Sequence, residues 1–186
     1  WQKVIVSSDK DFFQLLDNET IALRPTQNEV LNKNAIIEKF GIHPTNFALA
    51  RAIVGDKSDN LEGVPGIGLP TVAKRLPFLS EEKAYTIDEV NEYCKLVESD
   101  LKAYQNILNN KAMIKENYKL MQLYSPSISV QTKKEIKNII KNTDLDLDKT
   151  KTDGMMLEDG ISKTSWLDLI IALKRIMKGE KSEKIN

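Results

Sequence analysis

Two short motifs place pairs of aspartates where they could bind a divalent cation. Asp9 and Asp11 lie one residue apart, directly after an apolar segment. Asp56 and Asp59 lie in a turn-like segment, Gly55-Asp56-Lys57-Ser58-Asp59-Asn60. Mg²⁺ prefers oxygen ligands and takes a few carboxylates, with water completing its octahedron. Each motif also fits a structural role, since Asp after a strand caps helices and Asp, Ser and Asn are common in solvated turns.

A third motif is suited to phosphate. It runs Gly63-Val64-Pro65-Gly66-Ile67-Gly68 and is followed by Thr71-Val72-Ala73-Lys74-Arg75. Glycines let a backbone approach a phosphate closely, and the N–H groups at the start of a following helix can face an anion. Lys74 and Arg75 add positive charge nearby. The structural alternative is a Pro/Gly loop between helices.

The three motifs, in this order, resemble those of the 5′-nuclease or flap-endonuclease superfamily. The similarity is to phage 5′-3′ exonucleases and to the 5′-exonuclease domain of bacterial DNA polymerase I. Three stretches carry it, together with Phe40-Gly41-Ile42-x-Pro44: Ser8-Asp9-Lys10-Asp11-Phe12-x-Gln14-Leu15, Gly55 to Asn60, and Gly63 to Gly68 with Thr71 and Lys74. The resemblance is strong over residues 4–78 and weak beyond them.

This resemblance implies a two-metal phosphodiesterase that hydrolyses DNA, or RNA primers, as a 5′-3′ exonuclease or flap endonuclease in replication or repair. It implies that Asp9, Asp11, Asp56 and Asp59 are catalytic ligands of one Mg²⁺ or Mn²⁺ ion. Family members hold the other ion with acidic residues of an N-terminal half. This chain lacks that half, so we expect it to be the C-terminal part of the nuclease and to need the missing half, in cis or in trans, for cleavage.

The resemblance also implies how the chain contacts DNA. The glycine motif matches the family's helix–three-turn–helix, a helix-hairpin-helix variant that grips duplex phosphates without reading sequence and can hold K⁺ on backbone carbonyls. The expected partners are branched or nicked duplex DNA, a 5′-flap or RNA-primed DNA, and replication proteins. The resemblance also implies that the chain acts in the cytoplasm of a bacterium or phage-infected host. The candidate DNA-binding residues are Ser8, Lys10, Lys57, Gly66, Gly68, Thr71, Lys74 and Arg75.

Composition excludes several other classes of protein. The 186 residues carry 27 Lys and Arg and 27 Asp and Glu, so the net charge is zero, unlike that of a protein held to nucleic acid by bulk charge. One cysteine and one histidine exclude an internal disulfide and a multi-histidine metal site. No apolar run is long enough for a membrane span.

Hydrophobic periodicity predicts an α/β chain that is mainly helical. In the first half we expect a buried strand over 3–8, a helical turn over 11–16, a strand over 21–24, and helices over 34–40, 45–54 and 71–76. One long helix should follow, from a Thr86–Glu89 capping box to residue 108. After it we expect a strand over 117–123, a helix over 132–141 capped by Thr132, a loop over 143–160 and a last helix from Ser165.

We expect three regions. Residues 1–25 would be C-terminal strands of a PIN-like nuclease core, 26–80 the DNA-binding helix–three-turn–helix, and 81–186 a helical C-terminal region. The chain opens directly with a strand, and we expect that strand to have no sheet to join within these residues.

Two other functions fit parts of this pattern. A non-catalytic DNA-binding module would need the hairpin and no complete active centre. A haloacid-dehalogenase-type phosphatase also uses a strand followed by D-x-D, but here Phe12 and Phe13 follow the D-x-D, and such an enzyme has no use for the glycine hairpin.

Overall fold

The computed structural model describes residues 2–97, 101–124, 128–142, 148–160 and 171. Contacts divide the chain into two compact units, residues 1–127 and 128–186. In the described ranges the chain is mainly helical with one small sheet, as predicted. Its elements are strands β1 Lys3–Val6, β2 Thr20–Arg24 and β3 Glu29–Leu31, and helices α1 Lys33–Phe40, α2 Pro44–Val54, α3 Leu69–Arg75, α4 Ile87–Leu96, α5 Lys102–Asn109, α6 Lys111–Met121, α7 Val130–Asn142 and α8 Lys149–Glu158.

The sheet differs from the prediction in two ways. The first strand does join a sheet: β1 pairs in parallel with β2, and β2 pairs antiparallel with β3 in the order β1-β2-β3. That strand is also largely exposed rather than buried, with Val4 49% and Val6 63% accessible. Among the described residues β1 has a partner on one side, so its apolar side chains lack the cover of a central strand.

A phenylalanine cluster holds the first 3₁₀ helix, Lys10–Leu15, against the helices. Phe13, Phe40 and Phe47 come from that helix, α1 and α2, and their ring centroids lie 5.4–5.9 Å apart. Phe13 and Phe47 are fully buried. Because Phe13 lies two residues after Asp11, its burial fixes where the first acidic motif meets α2.

Most predicted helix ends in the first half of the chain are close to the observed ones. Gly41 ends α1 in the left-handed conformation with φ of 66°. Thr86 and Glu89 form the predicted capping box of α4. Helix α1 begins one residue before the predicted start at residue 34, because Asn32 caps it: Asn32 Oδ1 accepts the Ala35 N–H at 2.9 Å.

Four predictions in the second half are wrong. The long helix from Thr86 is two helices, α4 and α5, and the predicted strand over 117–123 is helical as far as Met121. Asn117 and Met121 lie four residues apart on the buried face of α6, a helical period that outweighs the local alternation. Helix α7 is capped by Ser129, whose Oγ accepts the Thr132 N–H at 3.0 Å. Part of the predicted loop is helix α8, capped by Asp148.

The predicted helix from Ser165 lies outside the described residues. Within the described ranges, none of the helices combines the length and the apolar character needed to cross a membrane.

Candidate functional site

The first acidic motif begins where β1 ends. The Ser7 Oγ accepts the Asp9 N–H at 3.1 Å, and Asp9 Oδ1 accepts the Asp11 N–H at 2.8 Å. Asp9 therefore caps the 3₁₀ helix, which is the structural role that a carboxylate at this position often takes. Asp9 is exposed, whereas the Asp11 side chain is 20% accessible and points to α2.

The second acidic motif is a closed turn after α2. Asp56 and Leu61 exchange two backbone hydrogen bonds of 2.8 Å. Asp56 Oδ1 accepts the Ser58 N–H at 2.9 Å and the Ser58 hydroxyl at 2.6 Å. The Ser58 hydroxyl bond is the main cause that lowers the pKa of Asp56 below its usual value, and the turn amide and Arg51 act in the same direction. Asp56 is therefore ionised.

Arg51 joins the two motifs. Its Nε lies 3.2 Å from Asp11 Oδ1, and its Nη2 forms an ion pair with Asp56 Oδ2. The three side chains are 11%, 20% and 16% accessible for Arg51, Asp11 and Asp56. A charge-assisted pair at this depth is stronger than a surface salt bridge. Tertiary folding thus brings two distant acidic segments onto one guanidinium.

Opposing effects act on Asp11. The pKa of the Asp11 carboxyl is raised overall, and burial is the largest cause. The Arg51 charge lowers this pKa, whereas the negative charges of Asp9 and Asp56 raise it. Asp9 and Asp56 therefore both lie within electrostatic reach of Asp11. A cation held at this point would relieve that repulsion.

Asp59 is the fourth predicted metal ligand. Asp59 lies in the exposed part of the 57–60 turn, where Asn60 has a positive φ of 57°. Across the part of the chain that the structure describes, no three His, Cys, Asp or Glu side chains are grouped so that they could hold a metal ion. Arg51 supplies the positive charge at the acidic junction instead.

The glycine motif forms a tight turn between α2 and α3. The Ile67 N–H donates to the Val64 carbonyl at 3.1 Å, and Gly66 has φ of +75°, the left-handed conformation that glycine favours. A Cβ at Gly66 would meet no other atom within 4 Å, so this glycine faces open space. Gly63 differs, since a Cβ there would overlap the carbonyl of Val54.

An open groove of about 790 Å³ runs along the acidic turn and the glycine turn together. It is lined by residues 54–57 and 60–67. The Asn106 side chain on α5 supports its wall by donating to the Pro65 carbonyl at 3.0 Å. The groove is continuous from Asp56 to Gly66, so the second acidic motif and the glycine turn share one surface.

The predicted DNA-binding residues fall into two groups. Lys10, Lys57, Gly66 and Lys74 are exposed, and within the described ranges no ion pair engages the three lysines. Ser8, Gly68, Thr71 and Arg75 are half-buried. Ser8 Oγ donates toward Thr26 and Gln27, and the Arg75 carbonyl accepts the Tyr104 hydroxyl at 3.2 Å.

Sequence reasoning missed three residues that organise this region. Arg51 is the one charged residue in α2, a signal that was available in the sequence. Gln14 and Asn117 are buried amides, 1% and 5% accessible, and both bind backbone near the acidic motifs. A buried amide in a helix looks like any surface amide in a single sequence.

Sequence comparison identifies proteins that are similar to this chain. No family model matches it. It is 36% identical over 118 residues to a 5′-3′ exonuclease of Buchnera aphidicola, covering 63% of this chain and 38% of the relative. It is 30% identical over 152 residues to a 5′-3′ exonuclease of Aquifex aeolicus, covering 79% of this chain and 47% of the relative. A DNA polymerase I of Thermus aquaticus is 42% identical over 72 residues, 39% of this chain and 8% of the relative.

Solved structures agree on the fold. A zinc-bound 5′-exonuclease of bacteriophage T5 superposes with a TM-score of 0.53 at 20% identity, covering 64% of this chain and 42% of that one. The flap endonuclease of the same phage, in a complex with DNA and metal ions, gives a TM-score of 0.52 at 19% identity over 64% of this chain and 42% of its own.

The chain spans less than half the length of the exonucleases that it matches. Relatives and fold together bear out the similarity that the three motifs indicate: this chain resembles the 5′-nuclease superfamily, with the fold of the phage 5′-exonuclease over about two thirds of its length.

Proposed function

We propose that this chain is part of a metal-dependent, structure-specific 5′-3′ exonuclease or flap endonuclease that hydrolyses phosphodiester bonds of DNA, or of RNA primers. The observation that carries the proposal is the junction at Arg51. In a chain similar to 5′-3′ exonucleases, it joins the Asp9–Asp11 segment to the Asp56 turn. The similarity to exonucleases and DNA polymerases does not favour the phosphatase alternative.

Asp9, Asp11, Asp56 and Asp59 are the proposed ligands of Mg²⁺ or Mn²⁺. Their carboxylate oxygens are hard donors of the kind that both ions prefer. The fit is incomplete as the side chains stand, because Arg51 holds Asp11 Oδ1 and Asp56 Oδ2. We propose that those two oxygens leave Arg51 when a cation binds. A bound metal would supply Lewis-acid stabilisation of charge on the phosphate oxygens.

The hairpin is the proposed DNA-binding element, a helix–three-turn–helix formed by α2, the glycine turn and α3. Gly66 faces open space and Lys74 is exposed, so a duplex backbone can approach both. The groove that continues to Asp56 would then lead the phosphates to the acidic junction. Such contacts are independent of sequence and suit recognition of a junction by its shape. K⁺ at the hairpin carbonyls is part of the same proposal.

Cleavage would need residues beyond these. The chain spans 38% and 47% of the two exonucleases. A two-metal mechanism places ions roughly 3.5–4 Å apart, each with its own ligands. We therefore propose that an N-terminal nuclease half, in cis or in trans, completes the site, and that this chain alone binds DNA without cutting it.

The experiment is a cleavage assay on a labelled 5′-flap duplex in Mg²⁺ or Mn²⁺. The chain alone should shift the flap duplex in a gel and leave it uncut. Addition of the N-terminal half of a 5′-3′ exonuclease, fused or separate, should produce metal-dependent cleavage that Asp56→Asn abolishes. Binding without cleavage in every combination would favour the non-catalytic module, and absence of DNA binding would contradict both.

A further inference from the structure

The three-stranded sheet has one covered face and one open face. Ile5, Ala22 and Leu31 are aligned across β1, β2 and β3 and pack into the hydrophobic core. Neighbouring residues in a strand point to opposite faces, so the residues beside these three point away from the core. They form an aliphatic surface, which we call the open sheet face and which consists of Val4, Val6, Ile21, Leu23 and Val30.

The open sheet face is accessible to solvent although all five of its side chains are aliphatic. Val4, Val6 and Val30 are 49%, 63% and 61% accessible. Ile21 and Leu23, in the central strand β2, are half-buried. The register of the sheet makes the five side chains contiguous from β1 to β3. A contiguous exposed apolar surface marks an interaction site, whereas single exposed apolar residues are ordinary.

The open sheet face borders a strand edge that can accept a further strand. The Ser7 N–H, just after β1, donates to the Leu23 carbonyl of β2 at 3.0 Å. Successive residues of a strand direct their amide groups to opposite sides, so the amide groups of Val4 and Val6 point away from β2. In the described sheet β1 is an edge strand, with β2 on its other side. The Val4 and Val6 amides are therefore placed to pair with another strand.

The edge of β1 lacks the features that normally prevent unwanted pairing. Soluble proteins commonly protect an edge strand with a charged residue or a proline. The outward-facing residues of β1 are valines, and Lys3, which pairs with Glu19, lies on the opposite face from them. Strands β1 and β2 are also parallel, and parallel strands in proteins are normally covered on both faces. Both observations indicate that another polypeptide segment covers this surface.

We propose that the open sheet face and the β1 edge together form the docking surface for an N-terminal nuclease half, which adds a strand to β1 and covers the valines with apolar side chains. This inference rests on the proposed function, which requires such a half in cis or in trans. The chain spans 38% and 47% of the two exonucleases, so more than half of each lies outside the match. Main-chain pairing would supply affinity, and the alternating side chains would fix the register.

A second copy of this chain accounts for less of the surface. Pairing of β1 with β1 of another copy would extend the sheet sideways and leave the open sheet face uncovered. Stacking of two open sheet faces would cover the valines and leave the β1 edge unpaired. A different polypeptide that supplies both a strand and an apolar covering layer satisfies the edge and the face at once.

The first experiment measures binding of this chain to the N-terminal half of the Aquifex aeolicus 5′-3′ exonuclease by biolayer interferometry. Val6→Pro removes the N–H at the free edge and leaves the β2 side of β1 intact. Val30→Lys puts a charge on the open sheet face, away from that edge. Each should weaken binding roughly tenfold or more.

Val130→Lys is the matched control, because Val130 is a 71% accessible valine on α7, outside the proposed surface. Its binding should stay within about twofold of wild type. All three valines are exposed, so each variant should melt close to the wild-type temperature, which circular dichroism checks.

The second experiment does not require the N-terminal half to fold by itself. The half is fused to this chain, and hydrogen exchange of the Val4 and Val6 amides is compared between the fusion and the chain alone. Exchange should slow roughly tenfold or more in the fusion, because these amides would then be paired. Sedimentation of the chain alone should show a monomer.

Binding by Val6→Pro and Val30→Lys equal to that of wild type would overturn the inference. No binding by wild type together with unchanged exchange in the fusion would overturn it as well. Slow exchange in the monomeric chain alone would show that the chain covers its own edge, and a dimer that Val6→Pro dissociates would assign the surface to a second copy. Docking without cleavage of a 5′-flap duplex would support the surface and contradict the proposed nuclease function instead.

Discussion

The Nε of Arg51 lies 3.2 Å from Asp11 Oδ1, and the same guanidinium pairs with Asp56 through Nη2. The Asp11 contact joins segments 40 residues apart, whereas Asp56 lies five residues after Arg51, just beyond the end of α2. A single, largely buried guanidinium therefore balances two carboxylates that would otherwise repel each other. The positive charge of Arg51 would also repel a metal ion bound at that position.

Arg51→Met should destabilise the chain without metal and strengthen its binding of Mn²⁺. Removal of one partner leaves two partly buried carboxylates uncompensated, which costs about 2–3 kcal/mol of the free energy of unfolding. The cation would then meet no competing charge, and we expect about five- to tenfold tighter binding. Urea unfolding and a Mn²⁺ titration measure the two effects.

Lys10→Met is the control for that experiment. It removes a positive charge close to the same aspartates, but Lys10 is exposed and, within the described ranges, forms no ion pair. Its effects on stability and on affinity should both be small. Equal gains in Mn²⁺ affinity from the two variants would show that general charge, rather than the Arg51 pairs, governs the site.

The hairpin should bind duplex DNA with modest affinity and little sequence preference. The net charge is zero, so attraction must come from a local patch, and the log–log salt slope should be shallow, roughly −2 to −4. Lys74→Ala should weaken binding evenly on two unrelated duplexes and reduce the slope by about one. Fluorescence anisotropy over a salt series gives both quantities.

In the same assay, Gly66→Val tests the close approach of the DNA backbone separately from the charge of Lys74. A side chain at Gly66 would protrude into open space where the phosphate is expected, and φ of +75° adds local strain of about 1–2 kcal/mol. DNA affinity should fall while Mn²⁺ affinity stays the same. Lys95→Ala, on the exposed surface of α4, is the control. If the Gly66→Val, Lys74→Ala double variant binds as well as wild type, the hairpin is not the DNA site.

Glu89 should make stability depend on pH at the start of α4. Its pKa is lowered from 4.5 to about 2, first by the hydrogen bond from Lys83 and then by the Thr86 amide and hydroxyl. A lowered pKa means that the folded state favours the ionised form, so the stabilisation is complete above pH 4.5 and is lost as pH falls toward 2. Glu89→Gln should lower the melting temperature at pH 7, and the difference should vanish near pH 2. A constant difference across that range would contradict the assignment.

The sequence allowed good prediction where local chemistry decides the structure. The capping box of α4 at Thr86 and Glu89 and the left-handed end of α1 at Gly41 depend on neighbouring residues, so the local sequence predicts them. The motifs also indicated the similarity to 5′-3′ exonucleases that the comparisons bear out. Exposure of Val4 and Val6 depends on what lies beside β1 in the sheet, which strand propensity does not contain.

The least predictable features were those fixed by distant partners. The alternation over 117–123 resembles a strand, and only packing of α6 on α2 shows that Asn117 and Met121 share a helical face. The acidic motifs predict that Asp9, Asp11, Asp56 and Asp59 meet at one cation, and the structure brings Asp11 and Asp56 together on Arg51. The sequence did not predict that Arg51 would join Asp11 to Asp56, because the contact with Asp11 spans 40 residues and leaves no local pattern.

The most direct test of the account is a thermal shift on addition of Mg²⁺, at constant ionic strength, for wild type, Asp56→Asn and Glu116→Gln. Mg²⁺ at a hundredfold excess over its dissociation constant should stabilise wild type by about 2.7 kcal/mol, or roughly 5–10 °C in melting temperature. Glu116→Gln, which removes an exposed carboxylate from α6, should keep the shift. Asp56→Asn should lose most of it. A full shift in Asp56→Asn would contradict the metal site on which the proposed nuclease function depends.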